Sequence, residues 1–133
     1  MRLLLLAFVL SACSYDSYIV KSDMGGELPE YEERFEEYEK ENKQVEIRGT
    51  CASACTMFLG LDNICVSKNA RLGFHGSMVN GNIWYRPGTE LLSSYYTPRL
   101  KEWFWSNAAF LYDEDIVWLS GEQVSKLNNT RIC

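Results

Sequence analysis

Residues 48–60 read RGTCASACTMFLG, and the parsing of this stretch decides the fold. Just before it, Val45 and Ile47 alternate with polar neighbours, as on a strand with one buried face. From Ala54 onwards ACTMFLGL is almost wholly apolar and reads as a short buried helix, stopped at Asp62-Asn63. Thr50 to Ser53 therefore form a strand-to-helix corner, with Ser53 midway between Cys51 and Cys55. Serine is among the commonest helix caps. At such a corner, however, its hydroxyl is also exposed, and the next backbone N–H, that of Ala54, can point at a developing oxyanion. The single histidine of the chain, His75, closes the extended segment RLGFHG and is placed to take the serine proton.

Working outward, SYDSYIVKSD holds a short strand around Tyr18 to Lys21, followed by the turn Met24-Gly25-Gly26. Leu28, Tyr31, Phe35 and Tyr38 then recur at helical spacing, while seven glutamates between Glu30 and Glu41 make a solvated acidic face. Downstream, ICVS is a strand, Asn69-Ala70 a turn, and NGNIWYRPG a loop with exposed aromatics. Glu90 to Tyr112 reads as helix with a break before Pro98, whose ring removes a backbone donor. The aromatic run WFWS within it reads as core cover rather than a docking surface. Ser120 and Gln123 form a capping box for a last helix through Leu127. Strands alternating with helices predict an α/β fold, a parallel sheet with flanking helices. In such layers ligands collect at the carboxyl ends of the strands, and two corners qualify: Gly25-Gly26 and Cys51 to Cys55.

At 133 residues the chain is one small domain, and its 47% hydrophobic and 23% charged residues argue against disorder. A net charge of −5 offers no basic footprint for nucleic acid. The N-terminus, MRLLLLAFVLSAC, places one arginine before an apolar run too short to span a bilayer. It ends in Leu10-Ser11-Ala12-Cys13, which resembles a bacterial lipobox. Residues 1–12 are thus expected to be a signal peptide, Cys13 to carry a lipid, and residues 13–133 to face the periplasm from the cell envelope. Ser14 after the cysteine favours the outer membrane. Four of the five cysteines remain, Cys51, Cys55, Cys65 and Cys133, an even number for an oxidising compartment. Of the three connectivities, Cys51–Cys55 with Cys65–Cys133 is favoured because the second bond would tie down the C-terminus; Cys55–Cys65 is the alternative. A Cys₃His metal site from Cys51, Cys55, Cys65 and His75 is a weaker reading, and no metal is expected.

The segment IVKSDMGG…RFEEYEKENKQVEIRGTCASACTMFLGLDNICVSKNARLGFHG resembles the core of the Clp protease proteolytic subunit and its crotonase-fold relatives. It is most similar to small exported members with a Cys-x-Ser-x-Cys core. The resemblance spans residues 18–77 and extends weakly to DEDIVWLSGEQVSKL. It implies a shortened crotonase-like sheet and a serine peptidase acting on extended peptides. Ser53 would be the nucleophile, His75 the general base, and Gly25 or Gly26 with Ala54 the oxyanion donors. Asp113, or after it Asp115, would orient the histidine. Met24 stands where the family has a proline, and the family's opening strands are missing, which implies an open sheet edge that partner subunits could complete. No cofactor and no ATPase partner is implied, and a homo-oligomer is compatible. The competing expectation is a catalytically degenerate relative that binds a partner in the envelope.

Overall fold

A computed structural model describes residues 16–133; the expected signal peptide and Cys13 lie outside the described residues. The chain runs β1 (Ser17–Asp23), α1 (Leu28–Lys40), β2 (Gln44–Ala52), a 3₁₀ helix (Ser53–Gly60), β3 (Ile64–Val66) and β4 (Arg71–Phe74). A small hairpin follows, β5 (Met78–Val79) with β6 (Ile83–Trp84), then α2 (Arg86–Ser93) and α3 (Pro98–Asn107). It closes with β7 (Val117–Ser120), α4 (Gly121–Asn128) and β8 (Arg131–Ile132). No described helix is long and apolar enough to cross a membrane.

β2 is the spine of a six-stranded sheet. β1 lies parallel along one flank of it. The other flank is divided: Val45–Ile47 pair with β3, and Thr50–Ala52 pair with β4, both parallel. Two arms diverge from there, β3 continuing to β8 and β4 to β7. The expected all-parallel sheet is corrected to a mixed one, because β7 runs antiparallel to β4. Val117 opens β7 beside Phe74, the last residue of β4, so the chain enters at that end and can only run back. Among the described strands β1 has only β2 as a neighbour, which leaves its outer edge unpaired.

The local signals hold. Tyr31 and Phe35 are the buried stripe of α1. Both halves of the capping box are made, Gln123 N–H donating to Ser120 Oγ at 3.1 Å and Ser120 N–H to Gln123 Oε1 at 2.8 Å. β2 carries a bulge, with Val20 opposite Ile47 but Ser22 opposite Thr50. A side chain at Gly49 would collide with the Lys21 carbonyl there, so the bulge needs glycine. Val45, Ile47, Leu72, Phe74, Met57, Phe58 and Phe104 are fully buried between sheet and helices.

Other expectations change. The segment after Ser53 is 3₁₀ rather than α, and its residues Ala54 to Leu59 are all buried. An eight-residue 3₁₀ run is long for that geometry; here contact on every face and the Cys51–Cys55 disulfide at its first turn hold it. The expected helix from Glu90 to Tyr112 is two helices, beginning earlier at Arg86 and ending at Asn107. NGNIWYRPG is the turn and second strand of the β5–β6 hairpin, with Asn80 and Gly81 at positive φ, plus the start of α2.

The second disulfide, Cys65–Cys133, ties β3 to the chain end across 68 residues of sequence. Cys65→Ala with Cys133→Ala is expected to lower unfolding free energy by about 2–4 kcal/mol in denaturant titration. The site chemistry should be unaffected, since this bond lies on the arm away from Ser53.

Candidate active site

Because β1, β2 and β4 are parallel and in register, Asp23 opposite Cys51 and Ala52 opposite Gly73, their carboxyl ends lie side by side. Each ends in one of the expected site segments: the Gly25-Gly26 turn, the Ser53 corner and His75. Ser53, His75, Asp113, Gly25 and Gly26 all line one cavity of about 540 Å³. Met24 and Leu28 form part of one wall, the β5–β6 hairpin from Met78 to Gly81 another, with Leu92 and Ile116 also contributing. Asp115, the second choice for an orienting carboxylate, is not part of it.

Ser53 is not the helix cap. Ala52 holds that position, and no side chain caps the helix. Ser53 instead has φ of +56°, a left-handed backbone that is uncommon for a residue with a Cβ. Such outliers persist only where the surroundings hold them. A sharp strand-to-helix elbow of this kind exposes the side-chain oxygen at its tip. Ser53 is half-buried between fully buried Ala52 and Ala54. The Cys51–Cys55 bond spans the corner, and the Thr56 hydroxyl donates to the Ser53 carbonyl at 2.6 Å.

The glycine turn packs against this corner. Gly25 has φ of +88°, and a Cβ added there would lie 2.8 Å from both the Ala52 carbonyl oxygen and Ser53 Cβ. Asp23 shapes the turn: its Oδ1 accepts Gly25 N–H at 2.9 Å and the Tyr31 hydroxyl at 2.6 Å. Arg34 adds a longer ion pair at 3.9 Å. Burial, reinforced by the bond to Asp23, pushes the Tyr31 phenol well above its ordinary value. The Gly25 N–H is thus engaged, and of the two glycines Gly26 is the one left to offer an N–H to a ligand. Ala54 lies in the first turn of its helix, where backbone N–H groups have no intrahelical acceptor.

His75 is buried, and its Nδ1 has no hydrogen-bond partner among the described residues. Loss of hydration lowers its pKa below the ordinary 6.5, and the charge of Asp113 partly offsets this. Asp113 is exposed and itself at positive φ, +62°. It acts on the imidazole through its field rather than through a hydrogen bond.

All four expected cysteines are in disulfides, Cys51–Cys55 and Cys65–Cys133. No thiolate is then left for the Cys₃His reading. Among the described residues three potential ligand atoms converge only at Glu46, Cys65 and Cys133, and two of those are the second disulfide. WFWS serves the core, with Phe104 buried and Trp103 edge-on against Phe74, whereas Ile83 and Tyr85 of the hairpin segment are exposed and Trp84 Nε1 donates to the Ala109 carbonyl at 2.7 Å.

The sequence reading missed Asp23, Thr56 and Tyr96. Asp23 had a local signal, since an aspartate two residues before a glycine commonly bonds that glycine's N–H. Comparison of the sequence with protein-family models and with curated proteins found no match.

Proposed function

We propose that the chain is a serine hydrolase acting on peptide bonds of extended peptides, a shortened relative of the Clp protease and crotonase-fold enzymes tethered to the cell envelope. The observation that supports this most is Ser53 at a left-handed elbow in one cavity with a buried, neutral-leaning His75. His75 removes the Ser53 proton as the oxygen attacks the substrate carbonyl. The oxyanion accepts from the N–H groups of Ala54 and Gly26. His75 then protonates the leaving amine, and a water deprotonated by His75 releases the acyl group and restores Ser53. Asp113 stabilises the imidazolium electrostatically. The two disulfides suit an oxidising compartment, in keeping with lipid attachment at Cys13. No cofactor or ATPase enters this scheme, and the unpaired edge of β1 leaves room for a second copy.

The test is fluorophosphonate labelling of the folded, disulfide-intact protein, with the labelled residue mapped by mass spectrometry. Label on Ser53 is the expected result. One observation favours a second reading, a degenerate binding protein: among the described residues no hydrogen bond orients the His75 ring through Nδ1. Absence of label on folded protein would select that reading.

The pH dependence follows from the direction of the His75 shift. A base that must be neutral, with its pKa lowered from 6.5 by burial, places the acid limb of the labelling rate below 6.5. Asp113→Asn removes a charge that raises this pKa, so the limb should move further to acid in a pH–rate profile. Stability has the same sign. The unfolded chain binds the proton more readily, so this contribution is present above pH 6.5 and is lost as pH falls from there through the lowered folded value.

A further inference from the structure

We propose that Tyr96 is a positioning residue that, acting through Thr56, holds the Ser53 corner in register with β4, the strand that leads into His75; this rests on Ser53 and His75 being the reacting pair. Thr56 is fully buried and has one hydroxyl proton, which it gives to the Ser53 carbonyl at 2.6 Å. Its 2.6 Å contact with the Tyr96 hydroxyl must then be donated by Tyr96. The result is a one-way chain from Tyr96 to Thr56 to the Ser53 backbone. It fixes the carbonyl side of a residue whose left-handed φ has to be enforced from outside.

The Tyr96 ring cannot easily shift to follow the corner. It packs edge-on against Phe104 and against Phe74, with centroids 5.4 and 5.7 Å away. Phe74 is the last residue of β4, directly before His75. One side chain thus touches a neighbour of each member of the reacting pair, Thr56 through its hydroxyl on the nucleophile side and Phe74 through its ring on the base side. The connection that carries Tyr96 is itself anchored, since Asn128 Oδ1 accepts from Thr97 N–H at 2.9 Å. Asn128 Nδ2 in turn donates to the Leu59 carbonyl at 3.3 Å, so the same asparagine ties the Tyr96–Thr97 connection to the far end of the 3₁₀ helix. Burial raises the Tyr96 phenol well above its ordinary pKa, which keeps it a donor throughout the working pH range.

The experiment compares fluorophosphonate labelling of full-length wild type with Tyr96→Phe, Thr56→Val and Thr56→Ser. It separates the maximal labelling rate from the probe concentration at half-maximal rate. Tyr96→Phe and Thr56→Val should each lower the maximal rate about tenfold or more with the half-maximal concentration unchanged, as expected for misplaced reacting atoms. Thr56→Ser keeps the hydroxyl and should restore most of the rate. Simple destabilisation would lower the final labelled fraction and leave the rate constant of the folded fraction alone. Wild-type rates in both Tyr96→Phe and Thr56→Val would overturn the positioning role, as would a Thr56→Ser variant as slow as Thr56→Val. A wild type that takes no label overturns the hydrolase reading itself, which is a distinguishable result. Should Tyr96→Phe fail to fold, the Thr56→Val and Thr56→Ser pair decides alone.

Discussion

Ser53→Ala is expected to abolish fluorophosphonate labelling and to lower peptide hydrolysis by at least about 10⁴-fold, the scale seen when a serine nucleophile is deleted. The expectation rests on the division of labour at the corner. Ser53 does not occupy the cap position, and no side chain caps the helix. Its backbone carbonyl, which takes the Thr56 bond, survives the substitution. Alanine also keeps the Cβ that packs against the Gly25 turn. Thermal unfolding should therefore move little, by an amount equivalent to about 0.5 kcal/mol or less, as for substitutions outside core and caps. A large loss of rate with an unchanged melting curve assigns the hydroxyl to chemistry. Wild-type turnover in Ser53→Ala would remove Ser53 from the mechanism.

Gly25→Ala should damage both activity and stability. The new Cβ would sit 2.8 Å from the Ala52 carbonyl oxygen and from Ser53 Cβ, and 3.0 Å from Ala54 N, all at the elbow itself. Two of those neighbours are backbone atoms and the third is a Cβ, so no flexible side chain can give way. Left-handed backbone adds a further cost for alanine at φ of +88°. Together strain and overpacking are expected to cost about 2–5 kcal/mol in denaturant unfolding. The folded fraction should label at least about a hundredfold more slowly, because the displaced atoms include a proposed oxyanion donor. Gly26→Ala is the control. Its nearest neighbour would be a Tyr31 ring carbon at 3.4 Å, an ordinary contact, so it should retain stability within about 1 kcal/mol.

The parts of this molecule legible in its sequence are those set by neighbours along the chain. The apolar stripe of α1, the Ser120–Gln123 capping box and the break before Pro98 each depend on residues within a turn or two. So does the corner at Ser53, and the favoured disulfide pairs are the ones formed. The lining of one cavity by Ser53, His75 and Gly25-Gly26 was anticipated from strand order, since parallel neighbours bring their carboxyl ends together. What escaped was long-range. β7 and β8 are short strands whose direction and partners are fixed across the sheet, and nothing in VWLS or RI announces them. The 3₁₀ geometry after Ser53 depends on burial from several elements at once. Thr56 and Tyr96 are 40 residues apart, so their hydrogen bond has no signature in either local segment.

The divided flank of β2 bears on how this chain reaches its fold in time. Each arm ends in a strand supplied late, β7 from Val117–Ser120 and β8 from Arg131–Ile132, while the spine they complete is laid down by Ala52. Neither arm can be finished during synthesis of the first hundred or so residues, and the pairings that finish them close long loops before any return in contacts. Folding of this domain therefore waits for residues 117–132 and is expected to be on the slow side for its size. Until residues 117–132 are available the sheet cannot be completed, so a chain cut short before them should be far more open to proteolysis than the finished domain.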